Sequence, residues 1–97
     1  MNINNDLVQS NYLLKYLSIT NTSSEDKDLN NYRSLGIYSI ENPKNYYHSD
    51  PIWCTVLCIP TNYNKKFVLQ IAYSTKYTNE LCARVCDNDE WKSWKTL

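Results

Sequence analysis

Phe67-Val68-Leu69-Gln70-Ile71-Ala72-Tyr73-Ser74 is the stretch on which the reading of this chain turns. At period two, Phe67, Leu69, Ile71 and Tyr73 share one face, and Val68, Gln70, Ala72 and Ser74 share the other. The first set is large and apolar, the second small and mixed. That asymmetry predicts a strand with the larger set against a core and the smaller set lightly covered. A helix suits the run less well, because it is short, rich in β-formers and bounded by turn residues. Upstream, Ile52-Trp53-Cys54-Thr55-Val56-Leu57-Cys58-Ile59 closes on Pro60; downstream, Leu81-Cys82-Ala83-Arg84-Val85-Cys86 closes on Asp87-Asn88-Asp89. Short polar connections join the three, so an antiparallel meander with 67–74 in the middle follows.

The 97 residues suffice for one domain with a modest core. Ten basic and ten acidic side chains cancel, which removes the electrostatic footprint expected for nucleic acid or an anionic membrane. No apolar run approaches the roughly 20 residues needed to cross a bilayer as a helix. Met1-Asn2-Ile3-Asn4-Asn5-Asp6 lacks the basic flank and apolar centre of a signal peptide, so synthesis in a cytosol is expected. Nine tyrosines and three tryptophans accompany one phenylalanine, and Gly36 is the sole glycine. Aromatic rings with polar tips can pack a thin core from its rim or form a contact surface.

Residues 6–17 allow a short amphipathic helix, with Leu7, Leu14 and Leu17 on one side and Asp6 as cap. Too short to be stable alone, it would pack on its own domain or on copies of itself. Residues 18–27 read as a polar loop. Asp28-Leu29-Asn30-Asn31 favours a turn or single helical turn, leading through Gly36 into a strand at 37–40. Gly36 is expected where a Cβ would intrude. A polar, aromatic loop at 41–51 precedes the second strand, and the tail Trp91-Lys92-Ser93-Trp94-Lys95-Thr96-Leu97 reads as a last edge strand. The fold expected is mainly β, a β-rich α+β domain: a small twisted antiparallel sheet with a short N-terminal helix. Residues 1–20 would form a helical, oligomerising segment and 21–97 the β domain.

Cys54 and Cys58, like Cys82 and Cys86, are four residues apart on strands, about 13 Å, which rules out a disulfide or shared zinc ion within either pair. The leading reading is four buried free thiols; a cross-strand disulfide or metal site requires the two cysteine strands to touch, and 67–74 lies between them. No metal or cofactor is indicated. His48-Ser49-Asp50 has the residue types of a hydrolase triad, but consecutive loop residues do not make its relay. Arg84 with Trp91 and Trp94 suggests a guanidinium stacked on indoles that ties the tail to the sheet. Tyr46, Tyr47, His48 and Asp50 in the 41–51 loop place stacking faces beside hydrogen-bonding groups, the combination a sugar requires; Tyr63 and Asn64 in the next hairpin would join them. The competing reading is that these tyrosines cover the sheet.

Asp28-Leu29-Asn30-Asn31-Tyr32-Arg33 followed by Gly36-Ile37-Tyr38 resembles the opening of the pyocin-knob-like domains of phage tail fibres and phage-tail-like bacteriocins. The similarity continues through Leu57-Cys58-Ile59-Pro60, Val68-Leu69-Gln70-Ile71-Ala72-Tyr73, Arg84 and Trp91-Lys92-Ser93-Trp94-Lys95, in the family's order over roughly residues 16–97. Asn, Tyr and Lys stand where relatives carry glycine-rich loops, and the four cysteines lie outside the pattern. The resemblance implies a small β-rich knob on a homotrimeric fibre of the virion, used for attachment to a bacterial surface. Together with the aromatic loop, it makes a non-catalytic receptor-binding knob for a cell-surface glycan the expected function. The rival is a small phage-encoded intracellular protein that binds or inhibits a host protein.

Overall fold

The computed structural model describes residues 19–21, 26–61 and 64–97. Among these the protein is mainly β, a single sheet whose strands are β1 (Ile19–Asn21), β2 (Gly36–Glu41), β3 (Trp53–Pro60), β4 (Val68–Ser74), β5 (Cys82–Asp87), β6 (Glu90–Trp91) and β7 (Lys95–Thr96). They lie in the order β1-β2-β3-β4-β5-β6, with β7 also pairing β5. The meander through β3, β4 and β5 is antiparallel with β4 in the middle, as expected. β1 pairs parallel to β2, inside a stretch that read as a loop because three strand residues among polar neighbours leave too little periodicity to detect. The expected helix over 6–17 lies outside the described residues and gains no support from them. The one helical element among those described is a 3₁₀ turn, Leu29–Asn31, capped by Asp28, whose carboxylate accepts from the Asn30 amide at 2.9 Å. The tail forms two short strands rather than one, both paired to β5.

The sidedness of β4 is the reverse of the expectation. Val68, Gln70, Ala72 and Ser74 are buried, whereas Phe67 and Tyr73 are exposed and Leu69 and Ile71 only part-covered. The register explains why. Cys58 opposes Gln70 and Gln70 opposes Arg84; Val56 opposes Ala72 and Ala72 opposes Cys82; Cys54 opposes Ser74. Small side chains thus floor one face of the sheet, and the connecting segments lie on that floor. Leu29 from the 3₁₀ turn packs with Ile40, Cys54, Val56, Cys58 and Ala72, with Tyr32, Tyr38, Tyr46 and Trp94 leaning on the cluster. Bulky rings supplied by loops need a shallow floor, so the smaller face became the inner one.

All four cysteines are free and buried on this face. Gly36, also buried, does not have positive φ. A Cβ there would meet the Tyr38 hydroxyl at 3.0 Å and its ring carbons at 3.1 and 3.3 Å. That ring is held in place because its hydroxyl donates to the Ser34 carbonyl at 3.0 Å. The β5–β6 hairpin turns on Asn88 and Asp89, both at positive φ, the backbone of a two-residue turn matched to sheet twist.

Candidate functional site

The loop at 42–52 and the β4–β5 connection at 75–81 leave the same end of the sheet, because β2 ends where β3 begins and β4 ends where β5 begins. There they interlock through side chains. His48 stacks on Tyr77 with ring centroids 3.7 Å apart and planes 10° from parallel. Its Nε2 donates to Glu80 at 2.8 Å. Asp50 accepts from the Tyr77 hydroxyl and from Lys76 Nζ, the latter at 2.9 Å. These two bonds hold the Asp50 carboxyl below its ordinary value, the tyrosine's bond contributing most. Tyr47 meets the His48 ring edge-to-face at 4.8 Å and remains exposed.

Tyr46 also meets the His48 ring edge-on at 6.1 Å but packs towards the core. It is part-buried, packs edge-to-face on Trp94 at 5.3 Å and leans on the core. Burial pushes its phenol well above the usual tyrosine range, with Cys54 and Cys82 adding to the effect. Neighbouring residues of an extended loop diverge, and here Tyr46 serves the core while Tyr47 faces outward. Of the residues singled out in sequence, Tyr47, His48 and Asp50 are brought together. Asn64 is not with them: it lies in the β3–β4 connection at the opposite end of the sheet, where its side chain accepts from the Lys66 amide at 3.1 Å. Tyr63 lies outside the described residues. Lys76, Tyr77 and Glu80 complete the cluster. They escaped sequence reading because Thr75-Lys76-Tyr77-Thr78-Asn79 has only the composition of a turn, and its proximity to 42–52 arises from strand pairing.

The tail residues act as structure. The Arg84 guanidinium carbon lies 3.9 Å from the Trp91 ring centroid and 4.7 Å from that of Trp94. Trp94 Nε1 donates to the Asn45 carbonyl at 2.7 Å, which fastens the tail to the aromatic loop. At the far end, Arg33 bonds Asp89 at 2.6 Å and the Lys65 carbonyl at 3.1 Å, closing the 3₁₀ region against two hairpins.

Among the described residues no group of histidine, cysteine or acidic side chains has the arrangement of a metal site. The end of the sheet at 42–52 and 75–81 can present an aromatic face, carboxylates and an ammonium on a backbone anchored by the sheet. Comparisons of the chain with family models, curated proteins and solved structures return no match.

Proposed function

We propose that the chain is a non-catalytic attachment domain of the phage tail-fibre type, a receptor-binding knob that recognises a bacterial cell-surface glycan without a cofactor. The observation that carries this reading is the joining of Tyr47, His48 and Asp50 to Tyr77 and Glu80 at one end of the sheet. The exposed Tyr47 ring suits the CH face of a sugar; Asp50, Lys76 and Glu80 suit its hydroxyls. Strands spent on core and pairing leave such work to loops, and a rigid sheet keeps those loops in register. In this reading the β domain, from β1 onward, is the knob, the residues before it aid assembly, and the setting is a homotrimeric fibre of the virion. One such contact is weak, so useful attachment comes from several copies acting together.

Binding of the full chain to intact bacteria and to a glycan array tests the reading. Tyr47→Ala should weaken binding about tenfold or more, the equivalent of about 1.4 kcal/mol, with thermal stability unchanged. Wild-type protein that binds no cell and no glycan would overturn it. The rival reading, a small intracellular protein that binds or inhibits a host protein, draws on the apolar side of the sheet that faces away from the core. A monomeric chain that captures a host protein and no glycan would favour that rival.

A further inference from the structure

Asn45 holds a backbone that few side chains adopt. Its φ is 62°, inside the left-handed region, where asparagine is tolerated and alanine is strained. Such strain persists only where the surroundings over-determine it, and here they do. Just before Asn45, the chain is sewn to the 3₁₀ region. Lys44 sits in a parallel bridge with Asp28; its amide donates to the Lys27 carbonyl at 2.8 Å and its carbonyl accepts from the Leu29 amide at 3.1 Å. At Asn45 itself, two bonds arrive from distant segments. Its Nδ2 donates to Asp28 Oδ1 at 2.7 Å, and its carbonyl accepts from Trp94 Nε1, also at 2.7 Å. Just after it, Tyr46 and His48 are part-buried while Tyr47 is exposed.

We infer that Asn45 is a positioning residue of the candidate site: its left-handed backbone, clamped between Asp28 and Trp94, sends Tyr46 onto the core and leaves Tyr47 facing outward. Only Tyr46 and Tyr47 separate this clamp from the point where His48 stacks on Tyr77 and bonds Glu80. So short a span, fixed at both ends, leaves each ring one direction. The Tyr47 side chain meets the edge of the His48 ring and makes no hydrogen bond of its own among the described residues. Its posture therefore comes from the backbone on either side of it. Holding an exposed ring in one direction before a ligand arrives removes part of the ordering cost of binding. The clamp also explains why the tail matters to a loop nearly 50 residues upstream: the Trp94 indole closes on the Asn45 carbonyl while its ring packs on Tyr46. The contact of Tyr47 with a glycan rests on the attachment reading; the posture of its loop does not.

Proton NMR of the full chain tests it. His48 is the sole histidine, so its imidazole signals report this loop alone. With ring centroids 3.7 Å apart, the Tyr77 ring current should displace them upfield in the wild type. Asn45→Gly keeps the left-handed backbone accessible and should leave them displaced. Asn45→Ala is strained there and should move them towards free-histidine positions, with the β-type circular dichroism spectrum unchanged. Trp94→Phe keeps a ring on Tyr46, removes the N–H and should move them part of the way. On an array of bacterial glycans, half-saturation should need about tenfold more Asn45→Ala protein than wild type, and within about threefold for Asn45→Gly. Wild-type imidazole signals in Asn45→Ala would overturn the inference. So would equal displacement in the glycine and alanine variants, which would assign the effect to the lost Asp28 bond. Should Asn45→Ala fail to fold, Trp94→Phe decides: unmoved signals overturn the inference and shifted ones support it. A chain that binds no glycan yet shows this order of imidazole signals would overturn the attachment reading and support the inference.

Discussion

Gln70 holds Arg84 beneath the aromatic tail: its Oε1 accepts from Arg84 Nε at 2.9 Å, both side chains buried in the middle of the sheet. The same amide donates to the carbonyls of Leu29 and Tyr32 at 2.8 and 2.9 Å. One side chain therefore bonds the carbonyls at the two ends of the 3₁₀ turn, Leu29 and its C-cap Tyr32, and orients the guanidinium that lies between Trp91 and Trp94. Burial lowers the Arg84 pKa to about 10, so it stays charged at neutral pH and depends on these partners. Gln70→Leu would leave the Tyr32 carbonyl and Arg84 Nε without this partner, while the Leu29 carbonyl keeps the Tyr32 amide at 3.2 Å. A loss of about 2 kcal/mol or more is expected, lowering the melting temperature by about 10 °C. An unchanged midpoint in thermal unfolding would show that the 3₁₀ region does not need this anchor.

Gly36→Ala places a methyl 3.0 Å from the Tyr38 hydroxyl, and that ring is tethered to Ser34. A cost of about 1–3 kcal/mol is expected from overpacking, more for Gly36→Val. Because the obstacle is a ring and not backbone geometry, Tyr38→Leu in the same chain should recover part of the loss. Denaturant unfolding of the two single variants and the double variant measures that coupling.

The cysteines should behave as buried hydrophobes. Burial raises the Cys54 and Cys58 thiols to about 12, from an ordinary value of 9.0. A disulfide reagent at neutral pH should find them unreactive in the folded protein and should count four thiols after denaturation. The linkage has a definite sign: their stabilisation is complete below 9.0 and is lost as pH climbs towards 12. Stability should accordingly decline in strong alkali. Cys54→Ala and Cys58→Ala together should lessen that decline.

Adjacent tyrosines should divide cleanly. Tyr46→Ala removes a ring from the core cluster and its contact with Trp94, at an expected cost of about 3 kcal/mol. Tyr47→Ala, at an exposed position, should stay within about 0.5 kcal/mol of wild type. Paired thermal melts test the contrast. Equal losses would mean that Tyr47 packs as tightly as its neighbour.

The link between Asp50, Lys76 and Tyr77 should fail at both ends of the pH scale. The Asp50 carboxyl is lowered from 3.8 by the Tyr77 hydroxyl and Lys76, so its contribution is full above 3.8 and fades as pH falls through the lowered value. Lys76 and Tyr77 are raised from 10.5 and 10.0 by Asp50, so theirs is full below those values and is lost above them. Asp50→Asn should therefore differ from wild type across the neutral range and converge with it in acid. Stability curves against pH measure the difference; a constant gap would assign the effect to sterics.

Local patterning sufficed for the turn at Asp28, and three alternating segments joined by short polar connections sufficed for the meander, which in turn keeps the two cysteine strands apart. Period two in 67–74 reports that two faces exist and how they differ, which is all a strand can encode about itself. Which face is inside was settled by what the rest of the chain laid against the sheet. Leu29, Tyr46 and Trp94 come from segments far apart in sequence, and their side chains lie over the face of Gln70, Ala72 and Ser74, not that of Leu69, Ile71 and Tyr73. The candidate site divides the same way. Tyr47, His48 and Asp50 were visible as a cluster within one loop; Tyr77 and Glu80 joined them only when β3 and β4 paired and brought two loop ends together. Asn64 was excluded by that same pairing, since an antiparallel meander sends successive connections to opposite ends of the sheet.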